Sequence, residues 1–183
     1  VAGPVAFVTA WSVLGAVKKG YSPIEDPISR LAAVGASTRP FMTAGFAAFG
    51  AGVGLYASAL RDGLSGPASV AAWTTAAASL GVAALPLNAE LDGAHAAAAG
   101  LAYASLAATP LLGARALARG GNKAAAAASV GCGVVCGAAL AASAVAGNRV
   151  GLWQRVGLST GDVWIVATAL WLTSGRSSGK PSA

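Results

Sequence analysis

Six apolar stretches, at about 1–17, 40–60, 68–86, 94–117, 123–147 and 161–175, fill most of this chain. Each approaches the roughly 20 residues that an α-helix needs to cross a bilayer. Hydrocarbon offers no water to backbone N–H and C=O groups, so runs of this length are stable only as helices that satisfy their own polar groups. The expectation is an all-α fold, a polytopic membrane bundle of six transmembrane helices with short interfacial helices, with 1–183 as a single domain. At 10% charged residues, against about a quarter in soluble domains, a water-soluble globule is excluded. Aromatic residues are few while Ala and Gly abound, so the helices are expected to approach through small side chains.

Breakers divide the stretches. Arg61-Asp62-Gly63 with Gly66-Pro67 separates the second from the third, Pro86 ends the third, Gly120-Gly121-Asn122 follows the fourth and Gly147-Asn148 closes the fifth. Pro110 lies inside the fourth, where a kink is expected. Val1 to Val17 is followed by Lys18 and Lys19 rather than by a small-residue cleavage site, which favours a first span over a signal peptide. In the first connection, Asp26 before Pro27, an apolar Ile28, Leu31, Ala32 face and Gly35 predict a two-turn interfacial helix capped by Asp26. The segment from Asn148 to Leu158 predicts a second interfacial piece anchored by Trp153, with the last span starting after it.

With six spans, the connections after spans one, three and five share a side. That side carries Lys18, Lys19, Arg30, Arg39, Arg149 and Arg155, and the other Arg61, Arg115, Arg119, Lys123, Arg176 and Lys180, so basic residues tie. The basic fourth connection and basic tail place the second side, with both termini, in the cytoplasm of a bacterial plasma (inner) membrane. A net charge of +6 scattered singly forms no basic stripe, so nucleic acid is not an expected partner, whereas anionic membrane lipid is.

Chemistry concentrates on the first side. Spans two, four and six begin there, directing three positive helix ends toward it, and Arg30, Arg39 and Arg155 add forks suited to phosphate or carboxylate. Histidine is the side-chain type suited to proton exchange at neutral pH, and Asp92, three residues before His95, is placed to orient it, so the two are the candidate acid–base pair. Asp26 and Asp162 are candidate ligand contacts, each also explained as a helix cap, Asp162 in the first turn of the last span. Ordinary interfacial decoration is the competing reading of all these charges. A single histidine gives no paired-His metal site, and no phosphate loop or Cys-x-x-Cys occurs, so neither metal nor cofactor is expected. Cys132 and Cys136 read as small packing residues. Gly50 to Gly54 and Gly133 to Gly137 are small-residue seams, used either inside one chain or between copies in a homo-oligomer.

Gly20-Tyr-Ser-Pro-Ile-Glu-Asp-Pro-Ile-Ser-Arg-Leu-Ala-Ala-Val-Gly35, Arg39-Pro-Phe-Met-Thr-Ala-Gly-Phe46, the isolated His95 and Gly151-Leu-Trp-Gln-Arg-Val-Gly157 together resemble the family of bacterial membrane proteins known as domain of unknown function 998. The likeness covers nearly the whole chain. It implies the membrane fold and no established reaction, and its matching positions are Tyr21, Asp26, Ser29, Arg39, His95, Gln154 and Arg155. Ile28-Ser29, Arg39-Pro40-Phe41 and the later histidine are more weakly similar to the Frag/DRAM group of six-span eukaryotic proteins, part of which is tied to remodelling lipid anchors. The function expected is binding, with modification left open, of an anionic lipid or polyprenyl phosphate head group in an extracytoplasmic-facing polar cavity. A small transporter or permease and a structural or regulatory subunit are the alternatives.

Overall fold

The computed structural model describes residues 1–64, 66–88, 90–145 and 147–177. Six α-helices follow one another: α1 (Ala2–Val17), α2 (Arg39–Gly63), α3 (Pro67–Ala84), α4 (Asp92–Arg119), α5 (Lys123–Val145) and α6 (Val150–Ser177). Among the described residues there is no strand, only an isolated parallel bridge between Ala33 and Leu87. Among the described residues, four stretches, Arg39–Gly63, Asp92–Arg119, Lys123–Val145 and Gly147–Ser174, are long and apolar enough to cross a membrane. Large apolar side chains such as Leu55, Val70, Leu101, Val134, Val163 and Leu170 stand exposed on the outside of the bundle, where a lipid-facing surface would have them. The chain is therefore all-helical and carries the spans of an integral membrane protein.

Chain neighbours pack antiparallel. Ala10 and Gly3 of α1 meet Gly45 and Gly52 of α2, Gly50 and Gly54 meet Leu80 and Trp73 of α3, and the Thr75 hydroxyl donates to Ser105 Oγ on α4. Gly133 of α5 lies on Leu111 and Ala107, and the Trp164 indole of α6 donates to Ser129. The last helix closes the bundle by running parallel to α2 and α4. Tyr56 and Thr168 share a hydrogen bond of 2.8 Å, while Gly157 and Gly161 seat Tyr103 and Leu106. Small residues thus set the interhelical distances, as their abundance implies. The Gly50 to Gly54 seam is occupied within the chain, by α1 on one flank and α3 on the other. In the second seam Gly133 is occupied and Gly137 is open.

The first connection departs from expectation. Instead of a two-turn helix capped by Asp26, it forms one 3-10 turn, Ile28–Ala32, with Pro27 at the cap position. The Asp26 carboxylate is drawn elsewhere, accepting from the Ser22 N–H at 2.8 Å and pairing with Arg30. Gly35 ends the segment as expected, at a φ of +84° that a side chain would strain.

The largest correction concerns α6. The expected interfacial piece at 148–158 and the span at 161–175 are one unbroken helix of 28 residues, entered through a short turn at Gly147–Arg149. Gly151, Gly157 and Gly161 look like breakers but face inward, where the backbone of the first connection, the Tyr103 hydroxyl and Leu106 leave no room for a Cβ. Asp162 is consequently no first-turn residue. It sits well inside the helix, 4% exposed, both carboxylate oxygens buried without a hydrogen-bond partner among the described residues. α4 likewise continues through the buried Pro110. Cys132 and Cys136 are free, and the buried Cys136 thiol donates to the Gly157 carbonyl. Lys180, counted in the basic tail, lies outside the described residues.

Candidate functional site

Because α2, α4 and α6 run in the same direction, their N-termini meet at one end, and the three connections there are tied into a roof. Val34 N–H donates to the Leu87 carbonyl at 3.1 Å, joining the first connection to the third. Leu152 N–H donates to Ile24 O at 2.9 Å, and Ile28 N–H donates to Gln154 Oε1 at 3.0 Å, joining the first connection to α6.

Arg155 is the clamp of this roof. One guanidinium nitrogen donates to Pro23 O at 2.6 Å and to Gly151 O at 2.9 Å, the other to the Tyr21 hydroxyl, and the cation stacks 5.1 Å from the Trp11 ring and 5.6 Å from that of Tyr21. Planar forks suit such multidentate work, and aromatic faces attract the cation. Burial pushes the Tyr21 phenol pKa up against the opposing pull of Arg155. The phenol keeps its proton and donates to the Pro27 carbonyl at 3.3 Å. Arg30 pairs with Asp26 and is mostly exposed, while Arg39 is partly exposed at the first position of α2. Of the arginines expected around one anion, Arg155 is thus committed to the roof and Arg30 to Asp26.

Beneath the roof lies a cavity of about 290 Å³. Phe7, Phe46, Phe49, Val82, Leu106 and Leu158 supply most of its wall, and Ser29, Ser79, His95, Tyr103, Ser143 and Gln154 its polar points. None of the described residues lining it is Lys, Arg, Asp or Glu. Of the residues singled out from the sequence, His95, Ser29 and Gln154 come together here. Tyr21, Asp26, Arg30, Arg39, Arg155, Asp92 and Asp162 do not line it.

His95 is 3% exposed, and its Nδ1 lies 2.8 Å from the carbonyl oxygen of Leu85, the residue that ends α3. The expected partner Asp92 is exposed at the first position of α4, so a backbone carbonyl and not a carboxylate orients the ring. A carbonyl only accepts, so Nδ1 carries a proton, and in the neutral ring Nε2 presents a lone pair. Nε2 is buried and has no partner among the described residues. The sequence reading passed over Tyr103 and Ser79. Tyr103 was within reach, since His95, Ala99, Tyr103 and Leu106 form a stripe spaced by three or four residues on α4.

A family model described as protein of unknown function (DUF998) matches residues 1–171. The chain belongs to this family. No curated protein and no solved structure matches it. For this DUF998 member the chemistry must be argued from the cavity and its roof.

Proposed function

We propose that this DUF998 protein is a six-span membrane protein that takes one lipid-like amphiphile from the bilayer and lodges its apolar part in the cavity under the roof. The observation behind the proposal is the cavity itself, apolar over most of its wall, with polar side chains contributed from the roof end and a buried histidine nitrogen left unsatisfied. Binding sites for small apolar molecules have this composition. α1 and α3, of 16 and 18 residues, are shorter than the other α-helices. Each is antiparallel to long apolar neighbours, and α3 joins two helices that start at the same end, which requires it to cross. The part of the ligand inside the cavity is uncharged. An anionic phosphate, where the ligand has one, belongs at the rim, within reach of Arg30 and Arg39.

Mass spectrometry of the protein purified in mild detergent tests the proposal. One amphiphile is expected to be enriched over bulk membrane lipid, and Ala99→Phe, which fills the cavity from its wall, is expected to remove it without unfolding the bundle. Equal retention by both proteins would sink the proposal. Orientation is tested separately, by Glu90→Cys and Asn122→Cys in a background carrying Cys132→Ala and Cys136→Ala. An impermeant maleimide applied to intact cells is expected to label position 90 and to spare 122; the opposite pattern would turn the roof to the cytoplasm.

A small transporter is the second reading, and Asp162 is the observation that favours it. Ionisable groups buried in membrane-spanning helices commonly mark an ion or proton path.

A further inference from the structure

Three of the polar points of the cavity wall, Ser79, Ser143 and Tyr103, share one property. Ser79 donates its hydroxyl proton to the Thr75 carbonyl at 2.7 Å, Ser143 to Leu140 O at 2.7 Å and Tyr103 to Trp153 O at 3.2 Å. Each proton is spent on backbone, so these side chains offer lone pairs alone. The neutral His95 ring adds another acceptor, Nε2, because Leu85 O holds the proton on Nδ1. Gln154 is the counterweight: its Oε1 is taken by the Ile28 N–H, which leaves the amide NH₂ as a donor. With Ser29 and Gln154 as its donors, the wall has more acceptors than donors and carries no Lys, Arg, Asp or Glu among the described residues.

We infer that the polar group read inside this cavity is an alcohol, the hydroxyl of a lipid-like amphiphile, which donates to His95 and accepts from Gln154. This rests on the amphiphile reading above and names its ligand class. An ether or ester brings only lone pairs and leaves His95 Nε2 buried and unpaired. A sulfonate or fully ionised phosphate sets negative charge against acceptors, with no arginine or lysine in the wall to offset it. An ammonium can donate but meets no carboxylate there. A hydroxyl donates, accepts and stays neutral, which matches all three features of the wall.

The test uses the full chain in lipid nanodiscs, with dodecanol, dodecyl methyl ether and dodecanesulfonate compared at equal mole fraction in the bilayer, so that partitioning drops out. Dodecanol is expected to bind about tenfold more tightly than the ether, the discrimination that one unsatisfied buried polar group produces, and the sulfonate no better than the ether. In His95→Leu the advantage of the alcohol is expected to fall below about threefold while the ether still binds. Equal binding of alcohol and ether to the unaltered protein, or preference for the sulfonate, overturns the alcohol assignment and leaves the cavity a lipid site. Failure of every probe to bind overturns the amphiphile reading with it. The series on the unaltered protein decides the matter even where His95→Leu does not fold.

Discussion

Arg155→Ala is expected to lower the stability of the purified protein by about 3 kcal/mol, and its Tm by about 6–10 °C, a loss concentrated in the roof. The guanidinium donates to the backbone carbonyls of Pro23, Gly151 and, at 3.4 Å, Asp26, and to the Tyr21 hydroxyl, while stacked on two rings, and no single neighbour can replace it. Charge-assisted hydrogen bonds in partly buried settings contribute about 1.5–3 kcal/mol each before losses shared among them are discounted. Alanine would also leave the Pro23 carbonyl without the short bond it receives here. Arg155→Lys keeps the charge but not the fork, so it should recover less than half of the loss. Limited proteolysis within residues 18–38 reports the roof directly, and the alanine variant should be cut there first. Full recovery by lysine, or an unchanged cleavage pattern, would return Arg155 to the competing reading of the sequence, ordinary interfacial decoration.

Arg155 also shows where the sequence is legible and where it stops. An arginine near the start of a helix, beside a tryptophan, carries the signature of an interfacial anchor, and its side chain is indeed at the roof end of the bundle. Most of its partners are backbone carbonyls, those of Pro23, Asp26 and Gly151, and carbonyls are carried by every residue alike. His95 was readable as the sole histidine at the mouth of a helix. That Leu85 and not Asp92 orients it was not, for the same reason. The start of α6 was placed too late because Gln154 and Arg155 beside Trp153 read as an interfacial segment, whereas Gly151, Gly157 and Gly161 are close-approach points that let this stretch pack as part of one helix. A better signal was available. Gly151, Arg155, Leu158, Asp162 and Ile165 recur every three or four residues, the period of one continuous helical face. The two polar members of that stripe obscured it. Asp162 is an acid on a buried face, and Arg155 is a base that the roof keeps inside.

The small-residue seams set up the other large effect, because the sequence names them without saying which glycines are in contact. Gly52→Ala is expected to be among the most damaging single substitutions in this chain. A Cβ there would stand 2.7 Å from the Cα of Gly3 and 3.0 Å from its nitrogen, and both are backbone atoms that no rotamer change can move. Adding one methyl group would force α1 away from α2 and loosen the Phe7 ring from Phe46 and Phe49, which it meets at centroid distances of 5.4 and 5.0 Å. Overpacking of a tight core typically costs 1–3 kcal/mol, and a rigid backbone contact belongs at the upper end, so the expected loss is about 3 kcal/mol or 6–10 °C in Tm. Gly137→Ala is the control. Its Cβ would meet nothing within 4 Å, and the change should stay within about 0.5 kcal/mol, the usual scale for a substitution away from packed features. Because Phe7, Phe46 and Phe49 also wall the cavity, Gly52→Ala should reduce amphiphile retention along with stability, whereas Gly137→Ala should change neither. A Gly52→Ala protein as stable as the parent would show that α1 is not docked through this contact. A marked fall in stability for Gly137→Ala would place an unrecognised neighbour on the open face of α5, and a second copy of the chain would then be the first partner to look for by its oligomeric state.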